Sequence, residues 1–251
     1  MEMLVEQVLL FFISILANGI SALAGGGAGL LQLPALLMLG LSFSMALATH
    51  KVASVALGVG ATARHLKENR LSLWFSMHIL FFGLPGVILG AICILGVPDD
   101  IARKALGILT ISLGVFSILR PELGLHSYKK NFQLRQWVAG GLGLFFIGIL
   151  NGSITSGTGL FVTLWLVMWY GLDYQRAVAY TLILVGLVWN GVGAITLGVQ
   201  TDIKWSWLLP LVLGAFSGGY LGAHFSIVKG NKLIKRCFEA ITILVGFSLL
   251  F

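Results

Sequence analysis

The residues able to do chemistry in this chain lie where lipid-like sequence is interrupted. Gly25-Gly26-Gly27-Ala28-Gly29 breaks an apolar run and leaves Leu30 to Leu41 too short to cross a bilayer. Gln32, on that short segment, joins the candidate set. Helix-breaking backbone at membrane depth survives only where protein or a water-filled cavity satisfies its polar groups. The N–H groups that open the following half-helix favour an anion. A second break runs from Asn151 to Gly159 and adds four hydroxyl donors, Ser153, Thr155, Ser156 and Thr158. Glycines also serve close helix packing, which accounts well for Gly86-x3-Gly90 and Gly218-x3-Gly222. It does not account for a five-residue break. No Gly-Lys-Ser/Thr follows either run, so a nucleotide loop is not expected.

Thr49-His50-Lys51 is the other constellation, with Lys51 alone between apolar stretches. A charge at the centre of a spanning helix costs about 2.5–3.5 kcal/mol on insertion scales. Two placements fit it: facing a cavity or partner, or snorkelling to the outer interface. The acids argue by scarcity. There are nine, and Glu2, Glu6, Glu68, Asp99, Asp100, Glu122, Asp173 and Asp202 lie in loops or at helix ends. Glu239 is the exception, and Lys235 or Arg236 is its expected partner. A cation carrier needs carboxylates inside the membrane, so an anionic substrate is preferred. His78 and His224 read as interhelical hydrogen-bonding residues. Asn190 either lines a cavity or bonds a neighbouring helix.

The elements that must position these residues follow from composition. The chain has 251 residues, of which 58% are hydrophobic and 10% charged, and a mean hydropathy of +0.98. A soluble domain carries about a quarter charged residues, so lipid is the solvent for most of this chain. The net charge of +7 lies in short loops, which the positive-inside rule explains better than nucleic-acid binding. Cys93 and Cys237 lack metal-ligand spacing and read as small packing residues; no metal or other cofactor is expected. Residues 1–24 resemble a signal peptide only at Ala22-Leu23-Ala24. Their start carries Glu2 and Glu6 where basic residues belong, so the segment is read as retained.

At an offset of 131, Gly40 meets Gly171, Ala46 meets Ala177, Trp74 meets Trp205 and Gly83 meets Gly214. The halves 1–120 and 137–251 are therefore read as repeats joined by a basic linker at 121–136. Arg64, Lys67 and Arg70 make one loop basic where its partner, Gln200 to Lys204, is not; the next pair of loops reverses this. With Arg120, Lys129, Lys130 and Arg135, with Arg176, and with Lys229, Lys232, Lys235 and Arg236, twelve of the sixteen Lys and Arg fall on the cytoplasmic side. Both termini then face out, and the halves are inverted repeats. That architecture is a transporter signature, with the substrate site at mid-membrane.

The run Ala24 to Leu30, then Leu33-Pro34-Ala35, then Ala46-Leu-Ala-Thr-His-Lys51 resembles the TauE/SafE family of sulfite and organosulfonate exporters. The weaker second-half echo extends the likeness over nearly the whole chain. His50 stands where the family usually has Asn, and the second break, Ser-Gly-Thr-Gly, holds less glycine than is common. The resemblance implies a multi-pass protein of the bacterial inner membrane that moves sulfite, an organosulfonate or a small carboxylate. The expected fold is all-α, with two inverted repeats and eight to ten membrane segments including two broken hairpins. Alternating access is the expected mechanism, with a proton or sodium as coupling ion and a homodimer as a possible assembly. An anion channel and an intramembrane enzyme are the alternatives. The enzyme lacks a His-Glu-x-x-His, a paired Asp or a Gly-x-Ser-x-Gly to support it.

Overall fold

The structure is a computed structural model that describes residues 2–68, 71–93, 99–128, 130–153 and 157–250. Among these residues every regular element is helical. The first half holds α1 (Glu2–Ala24), α2 (Ala28–Met38), α3 (Phe43–His65), α4 (Leu73–Cys93) and α5 (Asp99–Ile118), with a 3-10 turn at Leu66–Glu68 extending α3. The second half opens with α6 (Leu134–Ser153) and α7 (Thr158–Met168). Next comes α8 (Tyr174–Tyr180), which continues through a π-helical segment, Thr181–Trp189, into α9 (Asn190–Gly198). It ends with α10 (Trp205–Lys229) and α11 (Asn231–Leu250).

Among the described residues six rods are long and apolar enough to cross a membrane: Leu4–Ala24, Phe43–Glu68, Leu73–Cys93, Leu134–Ser153, Tyr174–Gly198 and Trp205–Lys229. A helix of this kind rises 1.5 Å per residue, and ~20 residues match a hydrocarbon layer of about 30 Å. α2 and α7 have 11 residues each and reach about half that depth. The six rods and these two half-length helices are the apolar membrane elements among the described residues. Trp74, Phe81, Phe146, Leu209 and Phe225 point outward, as a lipid solvent allows. The wholly buried residues include Ser14, Asn18, Gln32, Thr49 and Lys51, so polarity is concentrated inside.

Glycine sets the helix pairing. Lipid gives little hydrophobic drive between helices, so close backbone packing must supply it. α1 and α10 run parallel, with Gly214, Gly218 and Gly222 laid in turn on Phe11, Ile15 and Gly19. α4 and α6 do likewise, with Gly86 and Gly90 on Phe145 and Ile149. α3 lies between α10 and the π-segment: Gly60 meets Phe216, and Gly58 meets Gly186 and Leu187. The connection before α6 straps one face of the second half. Tyr128 N–H donates to the Gly171 carbonyl at 2.8 Å. Lys130 Nζ donates to the Met168 and Trp169 carbonyls at 2.9 and 3.0 Å, which places a cation on the negative end of α7.

Candidate functional site

The first break is built on backbone that only glycine adopts cheaply. Gly25, Gly26 and Gly27 have φ of 84°, 145° and 99°, a region that other residues avoid. Their turn is held by Gly25 and Gly26 N–H groups, which both donate to the Ser21 carbonyl at 2.9 and 2.8 Å. Gly27 opens α2 and Gly157 (φ 75°) opens α7, each without a side-chain cap. The two breaks meet head to head. Gly26 lies on Gly159; a Cβ on Gly27 would sit 3.4 Å from Leu160, and one on Gly157 would sit 3.1 Å from Leu30. The positive ends of two half-helices therefore converge on one point.

A cavity of about 40 Å³ opens there, with room for about three waters or a small ion. Gly26, Gly27, Ala28 and Gly29 form one wall, and Asn151, Thr158 and Gly159 the opposite one. His50 and Ser54 enter from α3, Thr181, Leu182, Val185 and Gly186 from the π-segment, and Asn190 from the start of α9. A π-segment is rare and recurs at functional sites. Here its wider turns put Thr181 and Asn190 on the same cavity.

Lys51 is fully buried, which rules out snorkelling to the interface. Its ammonium donates to the Asn151 carbonyl at 2.9 Å, to Asn151 Oδ1 at 3.3 Å and to Asn190 Oδ1 at 3.5 Å. It stands behind the two asparagines and not on the wall itself. Among the described residues no carboxylate pairs with it; Glu68, Asp173 and Glu239 pair instead with Arg64, Arg176 and Lys235. With Asn190 Oδ1 turned to Lys51, its Nδ2 faces the other way. Asn151 Nδ2 donates to Thr158 Oγ1 at 2.9 Å.

His50 is held from both sides, with Nδ1 3.0 Å from Gln32 Oε1 and Nε2 3.1 Å from Ser54 Oγ. Gln32 is wholly buried and lies one layer behind the wall. Gly25 is the first residue of the turn, off the wall, and its carbonyl accepts from Thr163 Oγ1 at 2.6 Å. Thr49 is away from the cavity, where its hydroxyl accepts the Lys204 N–H at 3.0 Å and caps the start of α10. Tyr180 does the same for Ser72 N–H at the start of α4, at 2.7 Å. Ser153 Oγ donates back to the Ile149 carbonyl at 2.9 Å. Thr155 and Ser156 lie outside the described residues.

Ser54, Ser21 and Thr181 are wall residues that sequence reasoning passed over. Ser54 had a signal: it is four residues after His50, hence on the same helix face. Thr181 had another, because it aligns with His50 at the 131-residue offset. Thr163 Oγ1 also lies 2.9 Å from Thr181 Oγ1, matching the Gln32–His50 contact. His78 and His224 behave as interhelical residues. His78 Nε2 is 2.8 Å from the Tyr170 hydroxyl, and His224 Nδ1 accepts from Arg64 Nε at 3.1 Å. Glu239 pairs with Lys235 at 2.8 Å. Among the described residues no three His, Cys, Asp or Glu side chains stand together as a metal set.

A broken-hairpin site of this kind, in an all-helical apolar chain, meets a family profile. The profile described as "Sulfite exporter TauE/SafE" matches residues 10–249. The chain belongs to the TauE/SafE family. Among similar proteins, the probable membrane transporter protein YfcA of Escherichia coli (strain K12) is 28% identical over 245 residues, 96% of this chain and 88% of that protein. A probable membrane transporter protein of Haemophilus influenzae is 29% identical over 227 residues, covering 90% and 88%. YdhB of Bacillus subtilis (strain 168), another probable membrane transporter protein, is 23% identical over 249 residues, covering 96% and 98%. No solved structure matches the chain significantly. Six apolar rods and this membership make it a membrane transporter of the TauE/SafE family and a multi-pass integral protein of the inner membrane.

Proposed function

We propose that this TauE/SafE protein carries a small anion, such as sulfite, an organosulfonate or a small carboxylate, bound in the cavity between the two half-helix N-termini. The single observation behind this is the unbalanced charge of Lys51, a wholly buried ammonium held only by neutral oxygens. A buried charge with no partner is costly, and a counter-ion relieves that cost. Two uncapped half-helix starts add N–H donors and favourable dipole ends. Asn190 Nδ2 and Thr158 supply further polar contacts.

Alternating access of two inverted repeats is the mechanism we favour. Support comes from the exchange of partners between the halves: α1 runs parallel to α10, and α6 runs parallel to α4. The caps that Thr49 and Tyr180 place on α10 and α4 are a second matched pair. A cavity at the meeting point of both repeats is where rocking of one against the other would expose an ion to each side in turn.

The test is uptake into proteoliposomes of sulfite, methanesulfonate and acetate. Saturable uptake of at least one is expected. Flux that rises without saturating would make the protein a channel, and no flux of any of the three would end the anion reading.

A further inference from the structure

We infer that His50 and Ser54 form a proton site that obliges the anion to travel with one proton. The inference rests on the reading above that the cavity holds an anion. It starts from a carbonyl. Leu211 O can only accept, and the Ser14 hydroxyl donates to it at 2.6 Å. With its proton committed, Ser14 Oγ accepts from Gln32 Nε2 at 3.3 Å and from Asn18 Nδ2 at 3.2 Å. That turns Gln32 Oε1 toward His50 Nδ1, 3.0 Å away, with Asn18 Nδ2 also 3.3 Å from the same oxygen. An amide oxygen cannot donate, so Nδ1 carries the imidazole proton and Nε2 is bare. Ser54 must then donate to Nε2, at 3.1 Å. Its hydroxyl proton is used, and Ser54 presents only lone pairs to the cavity.

Lone pairs repel an anion. A proton arriving from water on His50 Nε2 reverses the arrangement. The imidazolium N–H now donates to Ser54, whose own proton is released to swing toward the cavity and donate to the anion. One proton thereby adds both a positive charge and the missing donor. Because the two ligands help each other, each raises the other's affinity by the same factor. When the anion leaves, the proton on Nε2 loses its counter-charge and leaves to the same side.

Among the described residues that line the cavity, His50 is the titratable one, and it touches Ser54. α1 and α2 present Ser14, Asn18 and Gln32 to its side of the site; α10 presents the Leu211 carbonyl. The π-segment presents Thr181, α6 Asn151 and α9 Asn190 across the cavity. None of these titrates. On its own helix the next residue is Lys51, whose ammonium is bonded to the asparagines on α6 and α9. The Lys204 ammonium, just before α10, lies over the Trp207 ring at 5.6 Å, and His224 on α10 accepts from Arg64. Tyr180 on α8 is bonded to Ser72.

Two measurements test the device. The first needs no substrate: NMR of the ¹⁵N-histidine-labelled protein, with His50 assigned through the His50→Gln variant. The expected result is a neutral imidazole protonated at Nδ1; an Nε2–H tautomer overturns the inference whatever is transported. The second uses methanesulfonate, a strong-acid anion with no proton of its own to give near neutral pH. Proteoliposomes with a pH dye inside should show one proton entering per anion, and uptake indifferent to membrane potential. Methanesulfonate affinity should fall by about tenfold per pH unit above the point where His50 loses its proton, as one linked proton requires. His50→Gln should abolish the proton flux and flatten that slope. Ser54→Ala should weaken binding at low pH and leave it within about twofold at high pH. Methanesulfonate moving without protons, or protons still moving with His50→Gln, overturns the coupling. Absence of methanesulfonate binding to the wild type removes the anion reading and the coupling together, and the tautomer measurement shows separately whether the proton order failed too.

Discussion

In the anion-carrier reading proposed above, Lys51 and Asn190 together decide what the cavity offers an ion. The ammonium is enclosed by two asparagines, so it acts on the cavity partly as a charge and partly by orienting the Asn190 amide. Two substitutions separate these from mere structure. Lys51→Met keeps the stem length and removes the charge, so folded yield should stay close to wild type. Binding of methanesulfonate, read by calorimetry in detergent, should weaken on the order of a hundredfold, or about 3 kcal/mol. Binding equal to wild type would take Lys51 out of the site. Asn190→Asp should do something different: it installs a resident carboxylate beside the ammonium. The pair would satisfy a buried charge that is otherwise uncompensated, so the melting temperature should rise while anion binding disappears. A variant that still bound the anion would show that Lys51 needs no counter-ion.

At the scale of elements, the decisive feature is the crossing of the two breaks. Gly26 lies on the Gly159 backbone at φ 145°. Gly40 also has a positive φ, 93°, but nothing stands within 4 Å of where its Cβ would be. Gly40→Ala therefore carries only the left-handed backbone cost, about 1–2 kcal/mol. Gly26→Ala adds a backbone overlap at the centre of the protein and belongs with the severe core substitutions, above about 4 kcal/mol. Thermal unfolding in detergent should show a small shift for the first and loss of the folded species for the second. Equal shifts would mean that the α2 and α7 starts are not pressed together. Thr49 is best understood at this scale too. Its position in the sequence, beside His50 and Lys51, suggested a ligand; its contact is with the start of α10.

The whole molecule carries the topology. The loop containing Arg64 and Lys67 is basic and its counterpart around Gln200 is not, and the linker packs on the end of α7 through Lys130. Single cysteines at Lys67 and Gln200, in a background with Cys93→Ser and Cys237→Ser, should therefore react with an impermeant thiol reagent from opposite faces, Lys67 from the cytoplasm. Reaction of both from one face would remove the proposed inverted arrangement and with it the proposed alternating access.

Much of this protein was legible before any fold was known, because a bilayer imposes simple rules on sequence. Charge scarcity called for lipid; glycine runs inside apolar sequence called for breaks; a lone lysine between apolar stretches called for a cavity, a partner or the interface, and burial then chose among them. These depend on solvent, and solvent acts on each segment separately. What only the tertiary structure decided depends on atoms brought together from distant segments. Lys51 is oriented by Asn151 and Asn190, from two other helices. The position of the proton on His50 is set by a carbonyl at Leu211, through Ser14 and Gln32. Spacing along one helix can put Ser54 beside His50, but the direction in which a hydrogen bond points is settled by its furthest fixed partner, and that partner lies in the other half of the chain.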